Sequence, residues 1–251
     1  MIHYSEKLSW PEFKVLAENG AAAVIAVGAH EEHGPHCSLA TDAIISNALA
    51  ERIADRISGI LLPKLSYGDS WSIRDFPGTI SLEPETLHHL LMDIAHSVQR
   101  AGVKAIIFVN GHFDNMVPIE LTIRRLRLES DYPAMVINFP DLEKIAACIN
   151  ESEPAGFFFF HADEFETSVV LSEFPEGVKM EKAAPVYPEF PPDYSQTKVM
   201  ISSFNPVGVF GDPSKATSEK GKRFLDALEE SSMAQVNAFL TSIERKVQGH
   251  G

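Results

Sequence analysis

The sequence of 251 residues has only two cysteines, Cys37 and Cys148, and they form no CxxC pair. A disulfide framework or a cysteine-rich zinc module is therefore excluded. Basic residues are also scarce, because 21 Lys and Arg face 35 Asp and Glu, which gives a formal net charge of −14. Phosphate backbones and anionic membranes are bound by clustered cations, so we expect neither nucleic acid nor a membrane surface as a partner.

Long hydrophobic runs are absent as well. No apolar run approaches the ~20 residues needed to cross a bilayer, and residues 1–10 contain no apolar stretch typical of a signal peptide. A cytoplasmic protein is therefore expected. The hydrophobic fraction of 45% is nevertheless ordinary for a globular protein with a core. A chain of this length fits one large domain, and we interpret residues 1–251 as a single domain.

Short apolar runs alternate with longer amphipathic segments along most of the chain. The short runs predict strands at residues 21–27, 61–65, 104–109, 134–139 and 157–160. Apolar residues at helical spacing predict helices at residues 42–57, 85–100, 115–128, 163–174 and 218–243. This alternation predicts an α/β fold of three layers, with a mostly parallel central sheet covered by helices on both faces. Four prolines within residues 185–192 indicate a loop instead.

Polar clusters follow three of the predicted strands. Residues 31–36 read Glu-Glu-His-Gly-Pro-His, Asp42 adds a further carboxylate, and the later clusters lie at residues 112–114 and 161–166. Ligands of open α/β sheets bind outside the carboxyl ends of the strands, so these clusters are expected to converge. Carboxylate oxygens combined with imidazole nitrogens suit a divalent ion of the zinc or manganese type. For residues 31–36 alone, the alternative is a solvated acidic turn with incidental histidines.

Five motifs, in this order along the chain, resemble those of the creatininase family of creatinine amidohydrolase-like enzymes. They are residues 31–36 with Thr41-Asp42, residues 76–81 (Phe-Pro-Gly-Thr-Ile-Ser), residues 110–115 (Asn-Gly-His-Phe-Asp-Asn), residues 161–168 (His-Ala-Asp-Glu-Phe-Glu-Thr-Ser) and residues 208–213 (Gly-Val-Phe-Gly-Asp-Pro) with Ala216-Thr217. The ordered set is specific, although no single motif would be. The resemblance implies a creatininase-like fold, a small-molecule substrate and a homohexamer.

The resemblance also implies two divalent metal ions per subunit, expected to be zinc, with manganese or iron as alternatives. Glu31 and His112 would bind one ion, His33 would bind the other, and Asp42 would bridge them. A bridging carboxylate holds two ions close enough to share a water whose pKa falls toward neutrality. The resulting metal-bound hydroxide would attack a carbonyl carbon.

One further carboxylate ligand is implied, and both Asp114 and Glu164 are candidates. Glu164 is slightly favoured, since many relatives have glycine where this chain has Asp114. The leaving nitrogen needs a proton, for which His161 is the first catalytic candidate and the carboxylate of Glu164 the second. The alternative for His161 is a core histidine that caps the following helix.

Other polar residues near these motifs are expected to support the site. His36 would orient a metal ligand through a hydrogen bond rather than bind metal itself. Glu166 would anchor loop backbone or orient ligands. Glu32 is interpreted as structural, because alternation along an extended segment would point it away from its neighbours.

Three residues are candidates for contact with the substrate: Phe113, Thr79 and Arg74. Arg74 could meet an anionic or polyhydroxylated substrate, although an exposed arginine in a salt bridge is the commoner case. Creatininase proper surrounds its flat substrate with tryptophans, whereas this chain has only Trp10 and Trp71. Creatinine itself is therefore not the expected substrate.

The leading hypothesis is a dinuclear metal-dependent amidohydrolase that cleaves a C–N bond of a small cyclic amide or a formamide. Within the enzyme class, the alternative is hydrolysis of another small ring, including cleavage of a carbocyclic ketone at a C–C bond. From another class, the alternative is a non-catalytic subunit that binds metal or ligand. A closed ligand shell with no position for water would favour that last hypothesis.

Overall fold

The computed structural model describes residues 1–156, 159–194, 196–197 and 199–248, with the backbone alone at 246–248. In this part of the chain, five strands form one parallel sheet in the order β1-β3-β2-β4-β5. The strands are β1 (His3–Tyr4), β2 (Ala23–Val27), β3 (Ile60–Leu61), β4 (Ile106–Asn110) and β5 (Ala134–Ile137). Helices cover both faces of the sheet, so the predicted three-layer α/β fold is confirmed.

Seven α-helices surround the sheet in the described residues. They are α1 (Trp10–Glu18), α2 (Thr41–Arg56), α3 (Pro84–Arg100), α4 (Met116–Ser130), α5 (Leu142–Ile149), α6 (Glu164–Glu173) and α7 (Ser218–Gln248). The sequence predicted five of these and missed α1 and α5. A start signal for α1 was present, because Ser9 and Glu12 form a reciprocal capping box with Pro11 in the first turn.

The core has two halves, one on each face of the sheet. Along β4, Ile107 and Val109 face α2, α6 and α7, whereas Ile106 and Phe108 face α1, α3 and α4. Successive residues of a strand point to opposite faces, so a strand covered on both sides must be apolar throughout. This requirement explains why β2 and β4 are continuous apolar runs.

The connection between strands brings two polar loops side by side. β2 lies at the centre of the sheet, and the chain passes from it to β3 on one side and then across to β4 on the other. Val27, at the end of β2, pairs with Asn110 at the end of β4. The loops that leave these two strands therefore start as neighbours, at the kind of crevice where α/β proteins bind ligands.

Two sequence expectations concern irregular segments. Of the strand predicted at residues 157–160, the first two lie outside the described residues, and Phe159 and Phe160 are not in a strand. Only the next residue, His161, forms an isolated bridge, with Phe210. The proline-rich segment 185–192 contains no helix or strand, as expected, and touches Gly211 through one bridge at Val186. No helix within the described ranges is both long and apolar enough to cross a membrane.

Candidate metal centre

Four segments bring acids and histidines to one point beyond the carboxyl ends of the strands. The loop after β2 carries Glu31 and His33, the first turn of α2 carries Asp42, the loop after β4 carries His112, and the first turn of α6 carries Glu166. Glu31 is fully buried and Asp42 is 2% exposed. A buried carboxylate without a partner is strongly unfavourable, so this concentration of acids requires cations or protons beside it.

The contacts between these side chains fall into two groups that share Asp42. In the first group, His112 Nδ1 lies 3.1 Å from Glu31 Oε1 and 3.3 Å from Asp42 Oδ2. In the second group, His33 Nε2 lies 3.1 Å from Asp42 Oδ1 and 3.4 Å from Glu166 Oε2. Each group offers three ligand atoms within 4.8 Å of one another. Asp42 thus turns a different oxygen toward each group, as a carboxylate that bridges two ions does.

The hydrogen bonding of this cluster is incomplete in a way that fits metal ions. Both carboxylate oxygens of Glu31, Nε2 of His33 and Oδ2 of Asp42 are buried and make no hydrogen bond. Buried polar atoms are normally satisfied, and leaving them unsatisfied costs about 1–3 kcal/mol each. Carboxylate oxygens and imidazole nitrogens are ligands that Zn²⁺ and Mn²⁺ accept. The residues present therefore fit two divalent ions.

The other ring nitrogen of each histidine is bound to backbone. His33 Nδ1 lies 3.2 Å from the carbonyl oxygen of Glu31, and His112 Nε2 lies 2.6 Å from the carbonyl oxygen of Asp69. A carbonyl can only accept, so each of these nitrogens carries the proton and donates it. The opposite nitrogen of each ring is left to face the cluster, which is how metal-binding histidines are usually oriented.

The electrostatics of the metal-free chain favour protons on these histidines. Burial alone would lower the pKa of His33, but Asp42 and Glu166 outweigh it and raise the pKa to about 10. The pKa of His112 is likewise raised well above its ordinary value, since burial is outweighed by Glu31 and Asp42. Burial would raise the pKa of Asp42, but the two histidines reverse this and lower it. Without metal, protonated imidazoles supply the positive charge that the acids require.

Two glycines allow the backbone to approach the site closely. A Cβ at Gly111, beside His112, would collide with the backbone oxygen of Asp42. A Cβ at Gly208 would collide with the carboxylate of Glu32, and Gly208 also has a φ of +72°, which favours glycine. The motif at residues 208–213 therefore closes over the loop that carries Glu31 and His33.

Glu32 contacts the catalytic candidate directly, which the sequence interpretation missed. Glu32 Oε1 lies 3.1 Å from His161 Nε2, while its other carboxylate oxygen accepts a hydrogen bond of 2.8 Å from the backbone nitrogen of Gly34. The ring of His161 lies 4.3 Å from the ring of His33, and His161 is 6% exposed. His161 thus lies next to the cluster, and Glu32 binds its Nε2 atom.

The structure does not bring Glu164 or Asp114 to the cluster, contrary to the expectation that one of them completes the metal shell. Glu164 is buried, but its carboxylate binds Lys220 and accepts hydrogen bonds from the backbone and hydroxyl of Ser152. Asp114 accepts a hydrogen bond of 2.8 Å from the hydroxyl of Ser72. Glu164 therefore joins the loop before His161 to the start of α7, away from the donor atoms.

Glu166 takes the position expected of Glu164. Its Oε2 faces His33 and also accepts a hydrogen bond of 2.6 Å from the backbone nitrogen of Ala162, so it anchors loop backbone as expected and reaches the cluster as well. The signal for this was the Asp-x-x-Glu spacing at the start of α6. Asp163 accepts from the Glu166 nitrogen as a helix cap, and a glutamate at this position folds back toward the preceding loop.

His36 lies beside the cluster without belonging to the groups of potential ligands. Its Nε2 lies 2.9 Å from the hydroxyl of Thr167. Burial, followed by the positive field of His33, lowers the pKa of His36 to about 4, so the ring is neutral. The same hydroxyl accepts a hydrogen bond from Cys37, and burial raises the pKa of that thiol to about 12. His36 and Cys37 thus connect the metal loop to α6.

The three expected substrate residues lie in different places. Phe113 is 75% exposed and lines a cavity of about 470 Å³ that His112 and Glu166 also line. Thr79 instead accepts a hydrogen bond of 3.0 Å from the backbone nitrogen of Glu32, so it holds the metal loop. Arg74 is exposed, lies over the ring of Trp71, and lines a separate cavity of about 380 Å³. Of the three, Phe113 alone lines the cavity next to His112 and Glu166.

Comparison with known proteins gives one family over nearly the whole chain. The family model described as "Creatininase: Creatinine amidohydrolase" matches residues 6–236. A creatinine amidohydrolase of Pseudomonas putida is 30% identical over 235 residues, which cover 88% of this chain and 90% of that protein. A mycofactocin precursor peptide peptidase of Mycobacterium ulcerans is also 30% identical, over 88% of this chain and 86% of that protein.

Solved structures agree in fold and include metal-bound forms. The structure named "Creatininase Mn" superimposes with a TM-score of 0.83 at 26% identity, covering 95% of this chain and 98% of that chain. A zinc–zinc form of a creatininase mutant gives the same TM-score, identity and coverage. These relatives support divalent metal ions at the cluster described above.

Proposed function

The chain belongs to the creatininase family of metal-dependent amidohydrolases, and from that premise we propose that it hydrolyses a C–N bond of a small cyclic amide or formamide at two divalent ions. Hydrolysis adds water across this bond and yields a carboxylic acid and an amine. The observation that carries the proposal is the double role of Asp42, whose two oxygens face His33 and His112 separately.

The proposed ligands follow from the two groups. Glu31, Asp42 and His112 would hold one ion, while His33, Asp42 and Glu166 would hold the other. The incomplete hydrogen bonding of the buried Glu31, His33 and Asp42 side chains supports the assignment. Glu166 replaces Glu164 and Asp114 in this proposal, because both of those carboxylates are engaged elsewhere.

When bound by these residues, two divalent ions would lower the pKa of water and polarise a carbonyl oxygen. The chain itself would supply the proton that the departing nitrogen needs, from the imidazole of His161. Glu32, hydrogen-bonded to Nε2 of this ring, would hold its orientation and favour its protonated form. The buried position of His161 beside the ring of His33 supports this role.

The test is hydrolysis measured before and after chelation and metal add-back. A panel of creatinine, other lactams, formamides, dipeptides and small cyclic ketones covers the C–N hypothesis and the C–C alternative. We expect metal-dependent hydrolysis of at least one amide, and its loss in Asp42→Asn. Asp93→Asn, an exposed carboxylate on α3, is the matched control and should keep the activity.

Two outcomes would overturn the proposal. Cleavage of a cyclic ketone alone, with every amide left intact, would establish the C–C alternative in its place. Full uptake of metal without hydrolysis of any compound would favour the non-catalytic subunit. Cytoplasmic location, expected from the lack of long apolar runs, and a homohexamer, implied by the family resemblance, both stay predictions. Light scattering on the purified chain would measure the oligomer directly.

A further inference from the structure

The cavity that opens beside the metal cluster has an aromatic wall. Its volume is about 470 Å³, within the range of about 300–1,000 Å³ usual for small-molecule sites. His112 and Glu166 form the metal end. The apolar side chains that line the rest are Phe113, Phe139, Leu142, Phe159, Phe160 and Phe165. A bare five-membered lactam at the metal end would leave most of this wall without a partner.

Part of the wall packs on a buried base, which is the ring of Phe165. Phe165 is fully buried and packs against Phe224 of α7, with ring centroids 4.8 Å apart. Phe139 and Phe160 stand nearly perpendicular to Phe165, at interplanar angles of 79° and 86°. Edge-to-face contacts of this kind are favourable and fix ring orientation. The wall is therefore formed before any ligand arrives.

The backbone that carries this wall adopts a disfavoured conformation. Phe139 has a φ of +43°, in the left-handed region, and Asp141 has a φ of +59°. Side-chain-bearing residues seldom adopt this region, and such positions concentrate at ligand sites. Phe139 thus has an unfavourable backbone conformation, and its ring lines the cavity.

Asn138, Asp141 and Lys144, three of the polar residues that line the wall, already have partners within the protein. The amide of Asn138 accepts from Asn110 and donates to the sulfur of Met116. Asp141 accepts from Lys144 at 2.6 Å and from Ser231 at 2.7 Å. Among the described residues that line the cavity, no cation is left unpaired for an anionic group. Away from the metal end, recognition is left to apolar contact.

We propose that the substrate carries a neutral aromatic or similarly bulky apolar substituent next to the cleaved C–N bond, and that this substituent occupies the cavity. This inference rests on the proposed function, since it takes the metal cluster as the place of reaction. It narrows the substrate from any small amide to one with an apolar side group. An anionic substituent is disfavoured, because Glu143 and Glu166 lie in the same lining and its lysine, Lys144, is paired with Asp141.

Two hydroxamates that differ only in this substituent test the proposal without turnover. Acetohydroxamate and phenylacetohydroxamate share a metal-binding head, and calorimetry on the zinc-loaded protein gives both dissociation constants. We expect the phenyl compound to bind roughly tenfold to hundredfold more tightly. Phe139→Ala should remove most of this preference. Phe174→Ala, a partly exposed phenylalanine outside the lining, is the control and should retain it.

The outcomes separate this inference from the proposed function. Equal affinity for the two hydroxamates, or tighter binding of the methyl compound, would overturn the aromatic substituent even if amides are hydrolysed. Tighter binding of the phenyl compound, lost in Phe139→Ala, supports the cavity assignment even if no amide in the panel is cleaved. If neither compound binds the zinc-loaded protein, this inference fails, whereas the zinc content of the same sample tests the metal centre separately.

Discussion

Glu32 and Glu31 lie on opposite sides of the His161 ring. Glu32 Oε1 lies 3.1 Å from Nε2, and Glu31 Oε1 lies 3.9 Å from Nδ1 of the same imidazole. The two acids are adjacent in sequence, and each lies nearest to a different nitrogen of the ring. One of the two acids also belongs to the metal groups. His161 is therefore flanked by acids of the metal loop on both sides, with a hydrogen bond to Glu32 alone.

Replacement of His161 tests whether it acts as an acid or as a ligand. In His161→Asn we expect kcat to fall by about 10²- to 10⁴-fold, the usual contribution of general acid–base catalysis. The zinc content, measured by atomic absorption, should stay at two ions. Glu31, His33 and His161 also form a possible metal group, so loss of one ion from this variant would make His161 a ligand.

Glu166 and Asp114 can be compared as metal ligands. Glu166→Gln removes a carboxylate oxygen that lies 3.4 Å from His33 Nε2. We expect the affinity for the second zinc ion to fall by at least tenfold in a chelator competition titration, because a ligand is lost. Asp114→Asn should keep both affinities, since Asp114 is bound to Ser72. Weaker zinc binding in Asp114→Asn, with unchanged binding in Glu166→Gln, would show that Asp114 is the metal ligand.

The buried pair of Lys220 and Glu164 is expected to act on stability. Lys220→Met leaves the buried carboxylate of Glu164 without its cation, and breaking such a pair costs about 3 kcal/mol. The free energy of unfolding in urea should fall by this amount, while the zinc content is retained. Lys222→Met, on the exposed face of α7, should have little effect. Loss of metal together with a small change in stability would contradict the structural role.

Metal binding should release protons near pH 8. The pKa of His33 is about 10 in the metal-free chain, above its ordinary value of 6.5, so at pH 8 the ring is protonated. A metal ion needs the neutral ring, so the proton must leave and zinc affinity should rise with pH up to about 10. Calorimetry in two buffers of different ionisation enthalpy measures the released protons. Identical apparent enthalpies would show that His33 is already neutral.

The same shift affects stability before metal is added. Because the folded pKa of His33 is raised, its contribution to stability is complete below pH 6.5 and is lost as the pH rises through about 10. We therefore expect the unfolding free energy of the metal-free chain to decline over this interval. The zinc-loaded protein should show a smaller decline, since metal has already displaced the proton. Parallel declines in both forms would contradict this assignment.

Much of the fold was predictable because β2 and β4 are buried on both faces. Their continuous apolar sequences, with turns and polar clusters beyond them, fixed the positions of Glu31 and His112 relative to the sheet. The edge strands of the sheet and the segment at residues 157–160 were harder to predict. β1 has only two residues and little hydrophobic pattern. The prediction at residues 157–160 was wrong for Phe159 and Phe160, because aromatic residues that line a cavity read like a buried strand.

The residue types of the candidate site were predictable from the sequence. Which side chains point toward the cluster was harder to predict. Glu164 and Glu166 are two positions apart on one helix, so their side chains leave it about 200° apart. One turns to Lys220 and the other to His33. Which of them faces the cluster depends on how α6 packs against α2 and α7, and the local sequence does not record that rotation. Glu32 was misjudged for a similar reason, since its partner His161 is distant in sequence.

The donor atoms around Asp42 come from four chain segments that meet only where β2, β4, α2 and α6 are already assembled. No excised peptide contains more than a fragment of the set. Metal binding must consequently follow the association of distant parts of the polypeptide. The ion then stabilises a fold that has already formed. Uptake of zinc during refolding would then report completion of the whole molecule.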